Sequence, residues 1–430
     1  MKPEVYMRIA LELAKKGSPS PNPKVGCVIV SNGEIISRGY HKKVGMLHAE
    51  VEAILDAKLN LQTLKPKTQN PEHETQGTKS ETQDPKLKTQ DSSLTGLRAN
   101  SLEVLGIYST SSDRRSGHNC TGNGISSTSR HMTQDAIMYL TLEPCSHVWG
   151  GKRTPACVDA IIESGIKHVV IAMKDPNPKV SGKGIEKLQG AGVKVDVGVL
   201  EKEARELNAA YVKFMEKGLP YIAMKMAMSL DGKTATRTGE SKWISCEESR
   251  AMVQQLRSGF DAVMVGAETI KRDNPRLVCS IDGAKDPLKI VVDSDLCFDT
   301  NANFMKEPKK VIIATTGKAS KNKIKKFEAL GARIIVCGSE VVDLRALMSE
   351  LANIGVQSVL LEGGSELNAS ALGAGIVDKL YFFIAPVLIG GMEAKGPVGG
   401  SGAAKLADAL KLKNMKMKKI GMDFLIEADV

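Results

Sequence analysis

Hydrophobic positions near the start of the chain follow first a helical and then a strand pattern. The stretch 1–17 has apolar residues at helical spacing and predicts a first helix. An apolar run over about 25–30 and a second β-rich run flank Asn32-Gly33, a dipeptide typical of a hairpin turn. A second helix is predicted from about His48. The predicted order is therefore helix, hairpin, helix.

This periodicity is lost between about 59 and 134. The segment is rich in Thr, Gln, Lys, Glu and Pro and has almost no aliphatic periodicity. Such a composition buries too little apolar surface to offset the entropy that is lost when the chain is ordered. We therefore predict a disordered insertion on one loop, where added length has a small entropic cost.

Strand and helix patterns alternate again after the insertion. A strand is predicted to end at Pro144-Cys145, a helix to begin at Cys157, and an apolar strand to follow at about 168–175. Strand runs that alternate with helices are typical of βαβ units and of a largely parallel sheet. A helix of mixed charge over 201–218 predicts a connection to a second domain.

A second α/β pattern begins at Pro220. Apolar strand runs recur from there to about residue 390, and helical patterns separate most of them, which indicates a doubly wound α/β domain. We therefore predict a first domain over 1–200, a connecting helix over 201–219 and a second domain over 220–430.

Composition and charge narrow the class of protein. The 430 residues are 42% hydrophobic, and no apolar stretch approaches the length that spans a bilayer. The cysteines are scattered, mostly in apolar runs, so we expect reduced thiols in the cytoplasm.

The net charge of +10 is compatible with a nucleic-acid-binding protein, but only 4% of residues are aromatic, so side chains on which bases could stack are scarce. A basic cluster over 411–419 is interpreted as a solvated strand or turn, and a basic surface also attracts phosphorylated small molecules.

Three residues with metal-ligand chemistry lie where predicted elements begin or end. His48 and Cys157 each open a helix, and Cys145 ends a strand. One imidazole and two thiolates are good Zn²⁺ ligands, and they leave a fourth position for a water that the metal acidifies. Glu50, two residues after His48, has the position of the general acid and base in zinc deaminases. A lone histidine or cysteine is more often a cap or a packed residue, so it is the combination that predicts a metal site.

Five segments of the first half occur together: PNPKVGCVIV, GYH, HAEVEAI, TLEPCSH and DPNPKVSGKG. They resemble the cytidine deaminase superfamily and, within it, the deaminase half of the RibD family of bifunctional riboflavin-biosynthesis enzymes. The resemblance implies a cytidine-deaminase-like α/β/α domain in which zinc binds His48, Cys145 and Cys157, and Glu50 transfers protons. It implies that 2,5-diamino-6-ribosylamino-4(3H)-pyrimidinone 5′-phosphate loses its 2-amino group as ammonia. The positions that match substrate contacts are Asn22, His41 and His147.

The first half departs from the family pattern around the second zinc ligand. Eleven residues separate Cys145 from Cys157, more than is usual in the family, and Ala156 stands where the family has Pro. A loop can grow without moving the residues at its ends, but the extra length puts the shape of the pocket in question.

The second half carries weaker signals when it is taken alone. A predicted strand ends at 363–365 and a helix follows, so backbone N–H groups at the helix N-terminus offer a phosphate site. A glycine pair at a strand end is about as often only a turn. The sequence over 232–234 ends like a P-loop, but the first glycine of that motif is replaced by Ala227. No GxGxxG fingerprint follows a strand.

Further segments of the second half occur in family order: MKMAMSLDGKTAT, GESKWIS, VGAETIKRDNPRL, VVDS and LEGGSELNASAL. They resemble the reductase half of the RibD family and imply a dihydrofolate-reductase-like α/β fold. The resemblance implies hydride transfer from NADPH to C1′ of the ribosyl group in its open-chain imine form, which gives a ribitylamino product. The positions that match NADPH contacts are Ala227, Trp243, Thr269, Asp273, Ser294, Gly364, Ser365, Glu366, Leu367, Asn368, Ala369 and Ser370. The positions that match substrate contacts are Ser241, Arg257, Leu277, Glu362 and, near the sugar, Lys225.

One position in the implied phosphate site departs from the family. Arg257 suits a phosphate because its guanidinium fork can bind two oxygens at once. Ser280 stands where the family commonly has an arginine for the substrate phosphate, and Arg276 lies close enough in sequence to compensate. If Arg276 does not compensate, we expect weaker substrate binding in the reductase.

Two other functions stay open at this point. The positive charge and the zinc motif also fit a nucleic-acid deaminase with an accessory domain, although the second half matches a nicotinamide reductase instead of an RNA-binding module. The other possibility is that one domain is degenerate and serves as a scaffold, which Ser280 leaves open for the reductase. Family members often associate through the reductase domain, so the resemblance implies a homo-oligomer. We expect a small phosphorylated pyrimidine substrate and no nucleic-acid or membrane partner.

Overall fold

The computed structural model describes residues 2–63, 135–146 and 156–430. Most of the predicted 59–134 insertion, and His147, lie outside the described residues. Contacts between residues divide the chain into two compact units. The first consists of Met1–Gly17, Lys24–Asp175 and Lys179–Ala204, and the second of Ser18–Pro23, Pro176–Pro178 and Arg205–Val430. The predicted domain limits at 200 and 220 stay predictions.

The described strands of the first unit form one mixed sheet. Its elements, in chain order, are α1 (Pro3–Lys15), β1 (Gly26–Ser31), β2 (Glu34–Tyr40), α2 (Ala49–Thr63), β3 (Ile137–Leu140), α3 (Cys157–Ser164), β4 (His168–Ile171), α4 (Lys183–Gly190) and β5 (Lys194–Val197). The strand order is β2-β1-β3-β4-β5. β1 is antiparallel to both of its neighbours, whereas β3, β4 and β5 are parallel. The prediction of a largely parallel sheet therefore holds only for these last three strands.

The hairpin and the helix after it are formed as the sequence predicts. Asn32 and Gly33 both have positive φ angles, 51° and 80°, which a two-residue turn between twisted strands requires. A Cβ on Gly39 would lie 2.2 Å from the carbonyl oxygen of Ala49, so only glycine lets α2 pack this closely on β2. This packing places the start of α2, with its histidine and glutamate, at the end of the hairpin.

The strand before Cys145 is shorter than predicted. β3 ends at Leu140, not at Pro144-Cys145. Pro144 has no N–H to give to a sheet ladder, and the N–H of Glu143 instead bonds the carbonyl of Met173 at 3.0 Å. The chain is consequently irregular where it carries Cys145 toward α3.

The second unit contains a larger sheet. Its helices are α5 (Glu201–Leu207, which begins in the first unit), α6 (Ala209–Lys217), α7 (Glu247–Gly259), α8 (Ala267–Asp273), α9 (Lys321–Ala329), α10 (Leu344–Asn353) and α11 (Ser365–Gly373). Its strands are β6 (Tyr221–Ser229), β7 (Ala262–Gly266), β8 (Leu288–Val292), β9 (Val311–Thr315), β10 (Arg333–Val336), β11 (Ser358–Leu361), β12 (Lys379–Ala385), β13 (Lys413–Ile420) and β14 (Asp423–Asp429). Short 3₁₀ turns lie at Asn303–Lys306, Pro308–Lys310 and Leu406–Asp408. The strand order is β10-β9-β8-β7-β11-β6-β12-β14-β13.

Helices cover both faces of the parallel part of this sheet. The seven strands from β10 to β12 in the sheet order are all parallel to one another. β14 and β13 follow β12 and form an antiparallel edge. Val263 of β7 packs with Phe327 of α9, whereas the next residue, Met264, packs with Leu347 of α10 on the opposite face. Successive residues of one buried strand therefore pack into hydrophobic cores on opposite faces of the sheet, and the predicted doubly wound architecture is confirmed.

The segment 201–218 forms two helices, not the single connecting helix that its charge pattern predicts. Asn208 separates α5 from α6 with non-helical angles, φ −109° and ψ 25°, and is buried. Asparagine competes with helical hydrogen bonding, which explains the break. The basic segment 411–419 lies mostly on β13, whose residues are almost all exposed, as interpreted. Within the described ranges, no helix is both long and apolar enough to span a bilayer.

Candidate active sites

One imidazole and two thiols converge in the first unit. Cys157 Sγ lies 3.2 Å and Cys145 Sγ 3.9 Å from Nδ1 of His48, and all three ligand atoms lie within 4.8 Å of one another. A tetrahedral zinc ion with normal bond lengths separates such atoms by about 3.5–3.8 Å. The donor types and their spacing therefore fit zinc, and the three residues are far apart only in sequence.

Local backbone structure holds the two cysteines. Cys157 is the first residue of α3, and its N–H donates to Cys145 Sγ at 3.4 Å. The N–H of Val158 donates to the carbonyl oxygen of Cys145 at 3.3 Å. Donors at a helix N-terminus stabilise negative charge on a neighbouring sulfur, so this arrangement favours thiolate ligands.

Glu50 lies in the first turn of α2 and is buried. The nearby buried thiol of Cys27 has a pKa well above its ordinary value, because of burial and then of the negative charges of Glu50 and Glu52. Cys27 therefore stays a neutral packing residue.

The predicted substrate contacts of the first half have different surroundings. The ring of His41 is buried, and its centroid lies 5.0 Å from that of His48, so it borders the metal-ligand cluster. Asn22 is exposed in the turn before β1, where its N–H bonds the carbonyl of Pro19. His147 lies outside the described residues.

The predicted NADPH positions gather at one edge of the larger sheet. Ala227 lies near the carboxyl end of β6, Ser294 follows β8, and Thr269 and Asp273 belong to α8, which follows β7. The stretch 364–370 follows β11, the hydrogen-bonded neighbour of both β6 and β7. From β7 the chain adds β8, β9 and β10 in one direction across the sheet, and it then returns to β11 on the other side of β7. Ligands of open α/β sheets bind at the carboxyl ends of strands where the strand order reverses in this way.

Within the stretch 364–370 the side chains of Leu367 and Asn368 are buried, whereas those of Glu366 and Ser370 are exposed. Gly363 and Gly364 have φ of 116° and 86°, which bring the chain from β11 into α11. The side chain of Leu367 packs in the core, and that of Asn368 is buried and donates to the carbonyl of Pro397 at 2.8 Å. Backbone N–H groups at a helix start are the donors that phosphates use.

Two further predicted positions are at opposite extremes of exposure. Trp243 is exposed, and the guanidinium of Arg250 lies 4.9 Å from its ring centroid. Leu277 is buried in the core, so it can offer a ligand only its backbone.

Ser241 is half-buried in the loop between β6 and α7. That loop has no helix directly after Gly232, which excludes the P-loop hypothesis.

A largely buried ion pair joins Arg257 of α7 to Glu362, the residue that follows β11. The Nε and Nη2 atoms of Arg257 donate to the two carboxylate oxygens of Glu362 at 2.5 and 2.9 Å, and Nη1 donates to the carbonyl of Val278. The fork that sequence reasoning assigned to a phosphate is thus bound to Glu362. Burial raises the pKa of Glu362, but the charge and hydrogen bonds of Arg257 outweigh it and leave the pKa below its ordinary value.

Lys225 stands beside this pair. It forms no ion pair with another residue that the structure describes, and burial lowers its pKa against the opposing attraction of Glu362. Ser280 is exposed, and its N–H donates to Gln254 of α7. Arg276 is exposed.

Sequence reasoning missed two carboxylates that organise loops. Asp231 accepts from the hydroxyl of Ser229 and from the N–H groups of Ile389 and Gly390, and these bonds lower its pKa to about 2. It ties the turn after β6 to the loop after β12. The other is Glu143, which is buried and has no cationic partner among the residues that the structure describes. Its place in an apolar segment could have indicated a structural role, because a buried carboxylate requires hydrogen-bond partners.

Comparisons with known proteins identify a known domain family in each half of the chain. Residues 220–426 match the family model of the RibD C-terminal domain, and residues 1–70 and 112–173 match that of the cytidine and deoxycytidylate deaminase zinc-binding region. Riboflavin biosynthesis protein RibD of Actinobacillus pleuropneumoniae is 38% identical over 428 residues, which cover 98% of this chain and 94% of the relative. The chain belongs to the RibD family. RibD of Escherichia coli K12 is 32% identical over 438 residues and 98% of each chain.

Solved structures of RibD proteins share the whole architecture. RibD of Acinetobacter baumannii, form 1, has a TM-score of 0.74 at 28% identity and covers 99% of this chain and 98% of its own. A deaminase and reductase from Thermotoga maritima has a TM-score of 0.71 at 29% identity, with the same coverage. The resemblance and the fold class predicted from the sequence are confirmed. The chain is a bifunctional riboflavin-biosynthesis enzyme, with a zinc-binding deaminase domain and an NADPH-dependent RibD reductase domain.

Proposed function

We propose that the first unit deaminates 2,5-diamino-6-ribosylamino-4(3H)-pyrimidinone 5′-phosphate and that the second unit then reduces the ribosyl side chain to ribityl. The observation that carries the proposal is the convergence of His48, Cys145 and Cys157 within 4.8 Å beside a buried glutamate in the same unit. The deaminase and reductase named for the T. maritima relative support this order of reactions.

In the deaminase, His48, Cys145 and Cys157 would hold the zinc ion. Zinc bound by three protein ligands activates a water for hydrolysis. Glu50 takes a proton from the attacking water and returns it to the departing amino nitrogen. His41 borders the cluster and Asn22 and His147 belong to family motifs, so we propose them as contacts to the pyrimidine.

In the reductase, the carboxyl edge of β6, β7, β8 and β11 would receive NADPH, which supplies a hydride. Backbone N–H groups at the start of α11 offer donors to the cofactor's phosphates. The remaining proposed cofactor contacts are Ala227, Trp243, Thr269, Asp273 and Ser294. Lys225 would contact the sugar, with Ser241, Arg257, the backbone of Leu277 and Glu362 lining the substrate site.

The test follows both products in one vessel. Zinc-replete protein is incubated with the ribosyl phosphate, with and without NADPH, while ammonia and NADPH oxidation are measured. Ammonia without NADPH, followed by NADPH consumption only after deamination, supports both activities and their order. Ammonia with no NADPH consumption would point to a failed reductase pocket around Ser280. No ammonia from a zinc-containing protein would overturn the substrate, and assay on RNA would then test a nucleic-acid deaminase.

Loss of one metal ligand is expected to silence only one activity. Cys157→Ser removes a thiolate from the cluster, so zinc should be lost. Loss of a residue that only hydrogen-bonds a metal ligand lowers activity roughly 10–100-fold, and loss of the ligand itself should lower ammonia release by more than that. NADPH-dependent reduction of the deaminated substrate should be unchanged. Zinc content is measured with a metallochromic dye, and Cys297→Ser, an exposed thiol outside the cluster, is the matched control. Full zinc content in Cys157→Ser would contradict the ligand assignment.

We further propose a homo-oligomer in the cytoplasm. Met417 of β13 and Phe424 of β14 are 70% and 41% exposed on one face of the sheet edge, and an unpaired edge strand with apolar neighbours favours association. The cysteines among the described residues are free thiols, which suits a reducing compartment.

The oligomer is checked by light scattering. Met417→Glu places a charge on the exposed sheet face and is expected to shift the mass toward one chain. Met392→Glu, at a fully exposed loop position, is the matched control. An unchanged mass in Met417→Glu would exclude this face, and a single-chain mass for the natural protein would exclude the oligomer.

A further inference from the structure

Glu143 is a buried carboxylate with an unusual set of partners. It is 3% exposed, and its two oxygens accept four backbone N–H groups. Oε2 accepts from Asp175 at 3.1 Å and Gly182 at 3.0 Å, and Oε1 accepts from Gly184 at 2.9 Å and Ile185 at 3.4 Å. None of these donors is close in sequence, so the side chain joins two separate segments.

The donors belong to the loop between β4 and α4 and to the start of α4 itself. Gly182, Gly184 and Ile185 are the residues at which α4 begins, and their N–H groups have no acceptor within the helix. A carboxylate there also meets the positive end of the helix dipole. Glu143 therefore caps a helix that lies forty residues away, and it closes the loop from Asp175 to Gly182 at both ends.

The same segment leads directly to a proposed zinc ligand. Glu143 and Pro144 immediately precede Cys145, and a Cβ on Gly184 would lie 2.2 Å from the carbonyl oxygen of Pro144. The glycine thus allows the loop to sit directly against the backbone that carries the thiol. β3 and β4 are parallel neighbours, so both loops leave the same carboxyl edge of the sheet, where ligands bind.

Cys145 has its own support, independent of Glu143. Its sulfur and its carbonyl oxygen are held by the N–H groups of Cys157 and Val158 at the start of α3. Loss of the Glu143 carboxylate would therefore free the β4–α4 loop and leave the metal ligands in place.

We infer that Glu143 is a positioning residue of the deaminase, which fixes Asp175 and the segment 182–185 against the segment of Cys145 as one wall of the substrate site. This rests on the proposed deamination at the His48, Cys145 and Cys157 cluster. Glu143 itself touches no reacting atom; it acts through the loop that it holds.

The experiment separates binding from chemistry. Glu143→Gln keeps the shape of the side chain but turns an NH₂ group toward two of the four donors. We expect the KM for deamination to rise about tenfold, the equivalent of about 1.4 kcal/mol, with kcat within about threefold of the natural enzyme. Zinc content and the absorption spectrum of the cobalt-substituted protein should not change, and neither should reduction of the deaminated substrate.

Two further variants keep the test decisive. Gly184→Ala leaves the carboxylate intact but forces the loop away from Pro144, and it should reproduce the rise in KM. Glu143→Asp keeps the charge and should restore part of the lost affinity. Glu186→Gln, an exposed carboxylate in the first turn of α4, is the matched control and should behave as the natural enzyme.

Hydrogen exchange gives a readout that does not depend on activity. In Glu143→Gln, the amides of Asp175, Gly182, Gly184 and Ile185 should exchange faster, while the segment of Cys157 keeps its protection. Loss of zinc or a fall in kcat with an unchanged KM would overturn the inference, as would an unchanged KM in both Glu143→Gln and Gly184→Ala. If the natural protein releases no ammonia, the proposed function fails, whereas the exchange data still show whether Glu143 holds the loop.

Discussion

Glu50→Gln is expected to lower the rate of ammonia release by about 10²–10⁴-fold, the usual contribution of general acid–base catalysis. The amide has almost the shape of the acid but cannot take a proton from water at neutral pH. The three proposed zinc ligands are untouched, so zinc content should stay at the level of the natural protein. The measurement is steady-state ammonia release on the ribosyl phosphate, with metal analysis of the same sample.

Two comparisons make this result specific. Glu52→Gln, on the same helix, loses an ion pair with Lys42 but keeps an oxygen that can accept from Tyr40 N–H. It should deaminate within about twofold of the natural rate, because a partly exposed pair contributes about 0–1 kcal/mol. Reduction of the deaminated substrate should proceed normally in Glu50→Gln. Deamination at the natural rate with zinc bound would remove Glu50 from the proton-transfer role.

Arg257→Ala is expected to destabilise the reductase domain by about 3–5 kcal/mol and to abolish reduction. The substitution leaves the carboxylate of Glu362, whose side chain is 6% exposed, buried without its bidentate partner. The unfolding transition of the second unit is followed in urea with NADPH oxidation as the functional readout, because the two domains need not unfold together. Ammonia release should persist where the first unit is still folded.

The pH dependence of this loss has a definite sign. The folded pKa of Glu362 lies below its ordinary value, so the pair contributes stability above the unfolded pKa of about 4.3 that is lost as pH falls through the folded value. The difference in stability between the natural protein and Arg257→Ala should therefore be large near pH 7 and shrink as the pH falls below about 4. Arg276→Ala, an exposed arginine, should show no such difference, and a pH-independent loss in Arg257→Ala would exclude the ion pair as its cause.

Local sequence determined most of the secondary structure and the identity of the chemical groups. The turn at Asn32-Gly33 could be predicted because few residues adopt positive φ at two successive positions. The convergence of His48, Cys145 and Cys157 could be predicted because their residue types are zinc ligands and because Glu50 follows His48 at the spacing of zinc deaminases. Apolar runs of strand length likewise predicted a second domain with buried parallel strands.

Tertiary structure alone decided which partner each polar group received. Arg257 and Glu362 are 105 residues apart in sequence, and no local pattern shows that the guanidinium binds a carboxylate instead of a phosphate. The four donors of Glu143 are likewise brought to it only by the pairing of β3 with β4. Tertiary structure also decided that β1 lies antiparallel between β2 and β3 and that Leu277 is buried. Periodicity reports which face of an element is apolar, whereas the contacts of a buried charge depend on the assembled sheet.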